Sequence, residues 1–583
     1  MKMKLQSTTT ILICISTLLL LLRGGAGESE RVFYDWVVSF STLAPLGVEK
    51  QVIVLNDQFP GPTLNLTTND VVNINIHNNL TDPFLMTWNG VQMRRNSWQD
   101  GVQETNCPIL PGQNWTYSFQ VKDQIGSFFY FPSLFLQKAA GGYGAIRVNN
   151  RVVIPVPFLR PYKEHDVLIG DWYNADHRDL RASLDVGGTL PKPDGILING
   201  AGPNQTVIDF EPGFVYRLRI SNVGLRTSLN FRIQDHWMLL VEVEGSYTVQ
   251  QYYDSLDIHV GQSYSVLVTA NTNQSSFYMI ASCLYTSDQL AGVAIIHYPD
   301  SQGDPFGPFP PRPDSFDYLP SLWQARSIRW NLSVGAARPN PQGSYHYGSI
   351  NISRTLVLEN GVMEEENRRR YTVNGVSFVH PSTPLKLADY FQFTVPDTPL
   401  SASNPLLGTS VIDAPYKDFF HIIFQNPLET LQTWHLDGYN FFVVGMDYGV
   451  WNESMMEKYN MVDAISRSTV QVYPLSWTAI LVKLDNYGIW NLRSQNAEKW
   501  YLGQELYLRV HGKENSPRDV STRDEAPIPA NVIMCGRLLN QTLAIYCWKG
   551  QRQMKGKQVM DLVPYTSSSS VILLLDPPDG DRP

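Results

Sequence analysis

The stretch PFLMTWNGVQMRRNSWQDGVQETNCPILPGQNWTYSFQVKDQIGSFFYFPSLFLQKAAGGYGAIRV (Pro83–Val148) is rich in aromatic residues and in the turn-forming residues Gly, Pro and Asn. The whole chain of 583 residues shares this character, with 29 Tyr, 25 Phe, 14 Trp, 41 Gly and 38 Pro. Aromatic residues favour strands, and Gly and Pro favour the turns that join them. The composition therefore predicts many short strands.

Alternation of apolar and polar residues recurs along the chain, whereas long helical periodicity is scarce. Examples of this alternation are EKQVIVLN (Glu49–Asn56), VYRLRISNV (Val215–Val223), SYSVLVTAN (Ser263–Asn271), WTAILVKLDN (Trp477–Asn486) and ELYLRV (Glu505–Val510). Hydrophobic residues make up 43% of the chain and charged residues 17%, which is typical of a packed globular protein. The chain is too long for one core, so we expect two to four domains of an all-β sandwich or barrel type.

One break in composition divides the chain. The segment DSQGDPFGPFPPRPDSFDYLP (Asp300–Pro320) contains six prolines, cannot form a central strand and is predicted to be an extended connector. A second boundary near Asn149–Pro161 would split the first part into two pieces of sandwich size.

The N-terminus indicates export. Lys2 and Lys4 precede an apolar run, Ile11–Leu22, and small residues follow before Glu28, which predicts a signal peptide over residues 1–27. The C-terminal apolar run Val571–Leu575 is too short for the tail of a glycolipid-anchor signal. We therefore expect a soluble secreted protein with no membrane span and no such anchor.

Nine Asn-x-Ser/Thr triplets agree with a secreted glycoprotein. They begin at Asn65, Asn79, Asn114, Asn204, Asn273, Asn331, Asn351, Asn452 and Asn540. Cys14 would leave with the signal peptide. The remaining Cys107, Cys283, Cys535 and Cys547 permit up to two disulfides in an oxidising compartment, and the residues alone leave the pairing open.

Charge excludes one class of partner. The net charge of −9 argues against nucleic acid, because phosphate binding needs a basic face. It also gives no reason to expect attraction to acidic wall polysaccharide. The acidic run Glu364–Glu366 is followed by Asn367 and then by the basic run Arg368–Arg370. This segment is predicted to be a solvated turn of mixed charge.

Four long motifs together resemble one family. Besides Pro83–Val148 they are TWHLDGY (Thr433–Tyr439), GMDYG (Gly445–Gly449) and DNYGIWNLRSQNAEKWYLGQE (Asp485–Glu505). Their order and spacing resemble the plant multicopper oxidases, most closely the ascorbate oxidase homologues of the pollen-type and monocopper oxidase-like branch. The likeness runs from about Phe33 to Arg537.

The resemblance implies an all-β protein of three cupredoxin-like domains, each a Greek-key β-sandwich or barrel. We expect these domains at residues 28–152, 153–300 and 346–540. The Pro-rich connector would occupy residues 301–345. The tail, residues 541–583, departs from the family pattern.

In the family, four His-x-His pairs hold three coppers, and two His, one Cys and one Met hold a separate blue copper. Alternate residues of a strand point to one side, so His-x-His places two imidazoles in one cavity. The resemblance assigns the four pairs here to Thr87 and Asn89, Phe131 and Ser133, His435 and Asp437, and Arg493 and Gln495. It assigns the blue-site histidines to Gln432 and Lys499, the cysteine to Ser494 and the methionine to Gln504.

Only His435 keeps a family ligand, so no metal site and no catalytic residue are expected. A lone imidazole does not hold copper firmly, because biological copper sites use several N or S ligands. A dication about 5 Å from the Arg493 charge would be repelled by about 6–7 kcal/mol at an effective dielectric near 20. Ser494 cannot replace a thiolate. The resemblance therefore predicts a chain without cofactor and without classical four-copper oxidation.

The residues at the third and fourth pairs suggest what fills the cavity instead. Asp437 and Arg493 carry opposite charges on neighbouring strands of the family fold, so we expect a buried ion pair. Thr87, Asn89, Ser133, Gln495 and His435 would complete its hydrogen bonds, with Phe131 packed beside it. The resemblance also implies a disulfide between Cys107 and Cys535.

Two functions stay open at this level. In the first, the chain is a copper-free, non-enzymatic protein of the cell wall or apoplast that acts in directional growth or pollen tube extension, as the resemblance implies. Its partners would then be cell wall components. In the second, it is a residual oxidoreductase that binds a single copper, as the family's L-ascorbate oxidase-like name suggests.

Overall fold

The computed structural model describes residues 30–271, 275–287, 289–299, 301, 305–314, 316–332, 351–395, 398–512 and 525–539. The predicted signal peptide and the predicted tail lie outside these ranges, as do Asn273, Asn540, Cys14 and Cys547. Within the described residues, the helices are all too short or too polar to cross a bilayer. Strands dominate, and they form six sheets.

The first two sheets, of four strands each, come from the N-terminal part of the chain, in the orders β2-β1-β4-β6 and β3-β8-β7-β5. The strands are β1 (Arg31–Leu43), β2 (Lys50–Leu55), β3 (Leu64–Thr67), β4 (Val71–Asn78), β5 (Met86–Asn89), β6 (Asn114–Gln120), β7 (Gly126–Pro132) and β8 (Gly144–Asn149). In β4 buried and half-buried residues alternate, as the strand period requires. In β7 every residue is buried, so this strand lies inside the molecule on both faces.

The next two sheets have six and five strands, in the orders β10-β9-β12-β17-β14-β15 and β11-β19-β18-β13-β16. The strands are β9 (Lys163–Trp172), β10 (Gly195–Ile198), β11 (Val207–Asp209), β12 (Val215–Asn222), β13 (Leu229–Ile233), β14 (Met238–Val243), β15 (Ser246–Tyr253), β16 (Ser255–Ile258), β17 (Ser263–Thr269), β18 (Phe277–Cys283) and β19 (Ala291–His297). Their facing side chains form one continuous apolar core. This pair of sheets is the second sandwich.

The last two sheets have eight and five strands, in the orders β23-β22-β21-β20-β25-β30-β27-β28 and β24-β32-β31-β26-β29. The strands are β20 (Arg354–Glu365), β21 (Arg368–Val373), β22 (Val376–Phe378), β23 (Leu406–Gly408), β24 (Val411–Pro415), β25 (Phe419–Asn426), β26 (Gln432–Leu436), β27 (Phe441–Tyr448), β28 (Ser466–Arg467), β29 (Thr469–Val472), β30 (Ser476–Lys483), β31 (Gly488–Ser494) and β32 (Glu505–His511). The apolar cores of the first and third sandwiches are continuous. The predicted class, all-β with three cupredoxin-like domains, is confirmed.

In the described ranges, four short α-helices lie outside the sheets: α1 (His177–Asp185), α2 (Leu319–Ser327), α3 (Leu385–Phe391) and α4 (Ala497–Tyr501). Side-chain oxygens of Asp176 and Asn496 accept backbone N–H groups at the starts of α1 and α4, which is how Asp and Asn cap helices. Helix α2 falls inside the predicted connector, so that segment is not extended throughout, although the described part of Asp300–Pro320 contains no strand.

The motif TWHLDGY forms strand β26 and the turn that follows it. Strand β26 pairs with β31 in an antiparallel register that sets His435 opposite Arg493. The turn needs Gly438, whose φ of +77° lies in the left-handed region and whose added Cβ would sit 2.4 Å from the Trp490 ring. Both strands are buried along their whole length, so their polar residues must find partners inside the protein.

Cys107 is disulfide-bonded, and Cys535 is disulfide-bonded as well. Cys283 is a buried thiol. Residues Cys535–Leu539 belong to a separate C-terminal unit, in which Gly536–Leu538 form one short 3-10 turn. The pairing of Cys107 with Cys535 stays a prediction.

Non-reducing peptide mapping of the purified protein is expected to recover one peptide pair that joins Cys107 to Cys535. A bridge that closes so long a loop restricts the unfolded chain, by roughly 5–6 kcal/mol on the chain-entropy model. Cys107→Ser should therefore lower the melting temperature. Linkage of Cys107 to Cys283 or Cys547, or an unmodified Cys107 thiol, would contradict the assignment.

Candidate functional site

The site expected from the sequence lies where strands β5, β7, β26 and β31 approach one another. Thr87 on β5 is the register partner of Phe131 on β7. Asn89 reaches across to the third sandwich, where its Oδ1 accepts a hydrogen bond of 2.6 Å from Gln495 Nε2. It also donates to the carbonyl of Gly261 in the second sandwich. The structure thus brings residues of all three sandwiches together at this point.

The predicted ion pair between Asp437 and Arg493 is present. Arg493 Nη1 donates to Asp437 Oδ2, and the two side chains are 0% and 3% exposed. The same nitrogen donates to Asn491 Oδ1 at 3.1 Å. The guanidinium also lies over the Trp500 ring, 4.6 Å from its centroid, in a cation–π contact. Arg493 is therefore held by one carboxylate, one amide and one aromatic face.

His435 completes the pair from the side of Asp437. Its Nε2 lies 3.0 Å from Asp437 Oδ1, and its Nδ1 lies 2.8 Å from Thr469 Oγ1. An ionised carboxylate can only accept, so Nε2 carries the proton and Nδ1 of the neutral ring accepts from Thr469. Burial lowers the pKa of His435, which favours this neutral form. Both ring nitrogens are engaged.

The charges decide which form of Asp437 is stable. Burial alone would raise the pKa of Asp437, but the Arg493 charge and the His435 hydrogen bond outweigh it and lower the pKa to about 2. Asp437 is therefore a carboxylate under ordinary conditions, and Arg493 is its counter-ion.

Several predicted hydrogen bonds to the pair are absent. Ser133 donates to the carbonyl of Gly101 at 2.6 Å, and Asn89 and Gln495 bond each other instead of the pair. The Thr87 hydroxyl is buried without a partner among the described residues. These expectations were wrong because Asn89 and Gln495 satisfy each other and a backbone carbonyl satisfies Ser133. Nothing in the structure explains the unpartnered Thr87 hydroxyl. Phe131 packs against Trp500 and so lies beside the pair, as predicted.

Two residues near the pair were missed from the sequence. Asn491 lies two positions before Arg493 on the same strand, so alternation could have placed it on the same side. Asp100 follows a 3-10 turn (Ser97–Gln99), and the sequence around it has no strand alternation from which its inward direction could be predicted. Burial and the negative charge of Asp437 raise the pKa of Asp100 well above its ordinary value. Its protonated form is favoured beside the ionised Asp437.

The four residues assigned to the blue site also lie together. Gln432 Nε2 and Lys499 Nζ both donate to the Thr430 hydroxyl, at 3.4 Å and 3.1 Å. The Ser494 backbone N–H donates to the Gln504 carbonyl. All four side chains are buried, and both amide atoms of Gln504 lack a partner among the described residues. Burial lowers the pKa of Lys499 to about 7.

The donor set at these positions does not fit copper. Around the ion pair the groups are one imidazole with both nitrogens engaged, one carboxylate and a guanidinium, which has no lone pair to offer. At the position of the blue copper the side-chain groups are two amides, one hydroxyl and an amine, with no thiolate. In the part of the chain that the structure describes, no three His, Cys, Asp or Glu side chains are grouped closely enough to hold a metal ion.

Comparison with known proteins gives a consistent result. Family models described as multicopper oxidase match residues 37–152, 163–301 and 382–516. The chain is 52% identical over 531 residues to the monocopper oxidase-like protein SKU5 of Arabidopsis thaliana, covering 87% of this chain and 89% of that protein. It is 47% identical to an L-ascorbate oxidase homolog of Nicotiana tabacum, covering 90% and 96%.

A solved laccase from Botrytis aclada shares the fold. It superposes with a TM-score of 0.73 at 20% sequence identity, covering 91% of this chain and 94% of the laccase.

Replacing Arg493 by Ala should lower the free energy of unfolding by roughly 3–5 kcal/mol, because Asp437 would stay buried without its counter-ion. Urea unfolding followed by tryptophan fluorescence would measure the loss. The double variant Asp437→Ala/Arg493→Ala should lose less than the sum of the two single variants.

Arg509→Ala is the matched control, since Arg509 pairs with Asp413 and Asp389 at an exposed position. Its loss should stay below about 1 kcal/mol. A near-neutral Arg493→Ala, or equal losses at the two arginines, would show that the buried pair does not stabilise the fold.

Asp100→Asn should become stabilising relative to the unmodified protein as pH rises. Because the pKa of Asp100 is raised in the folded protein, its contribution to the free energy of unfolding is complete below the pKa of the unfolded chain, about 3.9. That contribution is lost as pH rises through the folded pKa. Asn carries no proton to lose, so the variant escapes that loss. Urea unfolding at several pH values between 4 and 8 would measure the difference.

Asp413→Asn provides a control of opposite sign. The Arg509 hydrogen bond lowers the pKa of Asp413, so its contribution is present above about pH 4 and is lost in acid. This variant should therefore be the less stable one at neutral pH. A difference that does not change with pH for Asp100→Asn would argue against a neutral Asp100.

Proposed function

The chain belongs to the multicopper oxidase family, and we propose that it is a secreted, glycosylated member that works without copper-oxidase chemistry. Its role would be that of a non-enzymatic protein of the cell wall or apoplast in directional growth or pollen tube extension. The observation that carries this proposal is the buried Asp437–Arg493 pair with His435.

A guanidinium cation and a copper cluster cannot share that space at low cost. In the family the third and fourth pairs bind the copper cluster, and the guanidinium of Arg493 would repel any metal placed there. The Asp437 carboxylate, which could otherwise bind a metal, already accepts from Arg493 and His435. Removing Arg493 to make room would leave Asp437 and Asp100 as two buried carboxyl groups, which is itself costly.

Electron entry would be blocked at the position of the blue copper. Oxidation of a substrate by the family's mechanism passes an electron through the cysteine thiolate of the blue site. Ser494 has neither the sulfur nor the acidity for that step. The Lys499 ammonium donates to Thr430 in place of a histidine ligand. A chain with these residues would bind a molecule or a surface without oxidising it.

The relatives' names support a different candidate, an oxidoreductase with one copper, since several of them are called monocopper oxidase-like. His435 would be the natural anchor for that ion. Its two nitrogens, however, already bond Thr469 and Asp437, so copper would have to break one of these bonds without gaining a second imidazole. The geometry favours the copper-free reading.

Secretion and glycosylation are supported by the exposure of the acceptor sites. Among the seven predicted acceptors within the described residues, six are exposed: Asn65, Asn79, Asn114, Asn204, Asn351 and Asn452. Asn331 is half-buried. A glycan needs an exposed side chain, so these positions suit passage through the secretory pathway.

Metal analysis of the secreted protein by mass spectrometry tests the proposal directly. We expect no stoichiometric copper, no intense absorption near 600 nm, and no oxygen consumption with ascorbate or phenolics. An active L-ascorbate oxidase carried through the same purification is the control for copper loss. One copper per chain that disappears in His435→Ala would establish the single-copper alternative, and copper with strong blue absorption would overturn both readings.

A further inference from the structure

A cavity of about 320 Å³ opens between the end of β7 and the third sandwich. It reaches the positions of the second and fourth family pairs, since Phe131, Ser133 and Gln495 line it. Other parts of its wall are aromatic: Phe135, Phe378, Trp500, Tyr501 and Tyr507. The volume suits a small organic molecule, and flat apolar walls suit a ring.

The amine of Lys138 is buried without a hydrogen-bond or ion-pair partner among the described residues. It lies in the 3-10 turn Gln137–Ala140, is 5% exposed and lines the cavity. Within the described ranges its ammonium makes no hydrogen bond and no ion pair. Its nearest favourable contact is the Phe131 ring, 4.2 Å from the centroid. Buried charges are normally paired, so the Lys138 amine faces the cavity without a counter-ion in contact with it.

The acidic groups of the cavity are already occupied. Glu505 accepts from Asn491 Nδ2 at 2.6 Å and Trp500 Nε1 at 2.9 Å. Asp185 accepts from the Tyr501 hydroxyl at 2.6 Å. Neither carboxylate pairs with Lys138. The charge of Asp171, which lies outside the cavity wall, raises the pKa of Lys138, but burial outweighs this effect. The acidic side chains therefore do not fully compensate the burial of Lys138.

The arginine run adds positive charge at the rim. The turn expected there is confined to Glu366 and Asn367, and Arg368–Arg370 belong to strand β21, so the prediction of a wholly solvated turn was wrong. Arg370 is half-buried and donates to Ser377 Oγ at 3.0 Å and to the Phe378 carbonyl at 2.8 Å. Arg368 and Arg369 are exposed at the mouth.

We propose that this cavity binds a small aromatic carboxylate, with the carboxylate on Lys138 and the ring against Trp500 and Phe131. The rim arginines attract the anion, and the aromatic wall distinguishes a ring from a sugar acid. Burial lowers the pKa of Lys138 to about 7, so a bound anion would restore the full charge of the ammonium. The binding does not depend on whether the protein holds copper.

Calorimetric titration of the full-length secreted protein with 4-hydroxycinnamate tests the proposal. We expect saturable binding with one site per chain. The matched alcohol, 4-hydroxycinnamyl alcohol, has the same ring without the charge and should bind at least about tenfold more weakly, because it lacks the charge-assisted bond. Galacturonate carries the charge without the ring and should also bind at least about tenfold more weakly.

Lys138→Met keeps the length and apolar stem of the side chain, and should weaken 4-hydroxycinnamate binding at least about tenfold, whereas Lys138→Arg should retain it. Lys499→Met is the matched control: it removes another buried ammonium that bonds Thr430 and does not line this cavity. It should leave the affinity unchanged. Melting curves would check that each variant is folded.

Arg368→Gln changes only an exposed rim residue and keeps the proposal testable if the Lys138 variants do not fold. It should lower the affinity and weaken the dependence of affinity on salt concentration. Equal binding of the acid and the alcohol, or an unchanged affinity in Lys138→Met, would overturn the proposal. So would absence of saturable binding at millimolar 4-hydroxycinnamate, or tighter binding of galacturonate.

Discussion

Neutralisation of charge in a water-poor interior is the constraint on which the centre of this molecule depends. Strands β26 and β31 are buried along their whole length, so the polar residues that they direct inward have no access to bulk water. An isolated buried charge would cost several kcal/mol. Asp437 and Arg493 reduce that cost by pairing, and His435 and Asn491 each add one hydrogen bond to the pair. Arg493 Nε and Nη2 have no hydrogen-bond partner among the described residues.

The same rule joins the second sandwich to the third. Glu244 is buried after β14 and accepts from Arg467 Nη2, from the backbone and hydroxyl of Ser468, and from the Thr469 backbone. Thr469 in turn bonds His435. A continuous chain of hydrogen bonds therefore runs from the second sandwich to the ion pair. Because each of these groups hydrogen-bonds the next one, removing one side chain would disturb hydrogen bonds in more than one domain.

Much of the fold could be predicted from the sequence, because strand alternation and turn composition are local signals. VYRLRISNV contains strand β12, and WTAILVKLDN contains all of strand β30 except its first residue, Ser476. The ion pair was also predictable, since family register and the two-residue period place Asp437 and Arg493 on facing sides. Asn89 and Gln495 were predicted to bond that pair and instead bond each other. Their distance to competing partners depends on packing that no local pattern records.

Other parts of the site could not be predicted for the same reason. Asp100 and Lys138 lie in turns, where side-chain direction follows from the specific backbone path and not from a period. Arg370 was grouped with a solvated turn because charge runs are usually exposed. The hairpin turn consists of Glu366 and Asn367, so Arg370 belongs to the strand that follows the turn. Side chains of that strand contact the core.

The buried lysines show how the fold separates structural charges from one that is available to a ligand. Lys50 donates to three backbone carbonyls, Lys386 pairs with Glu525, and Lys499 donates to a hydroxyl. Each of these ammonium groups has at least one oxygen partner, so its burial is compensated within the protein. Lys138 is as deeply buried as they are, but among the described residues its amine contacts two aromatic rings and makes no hydrogen bond or ion pair. A ring face offsets part of the lost hydration of an ammonium, and an oxygen anion would offset more. Packing alone does not account for a cation left in that state at the edge of a cavity.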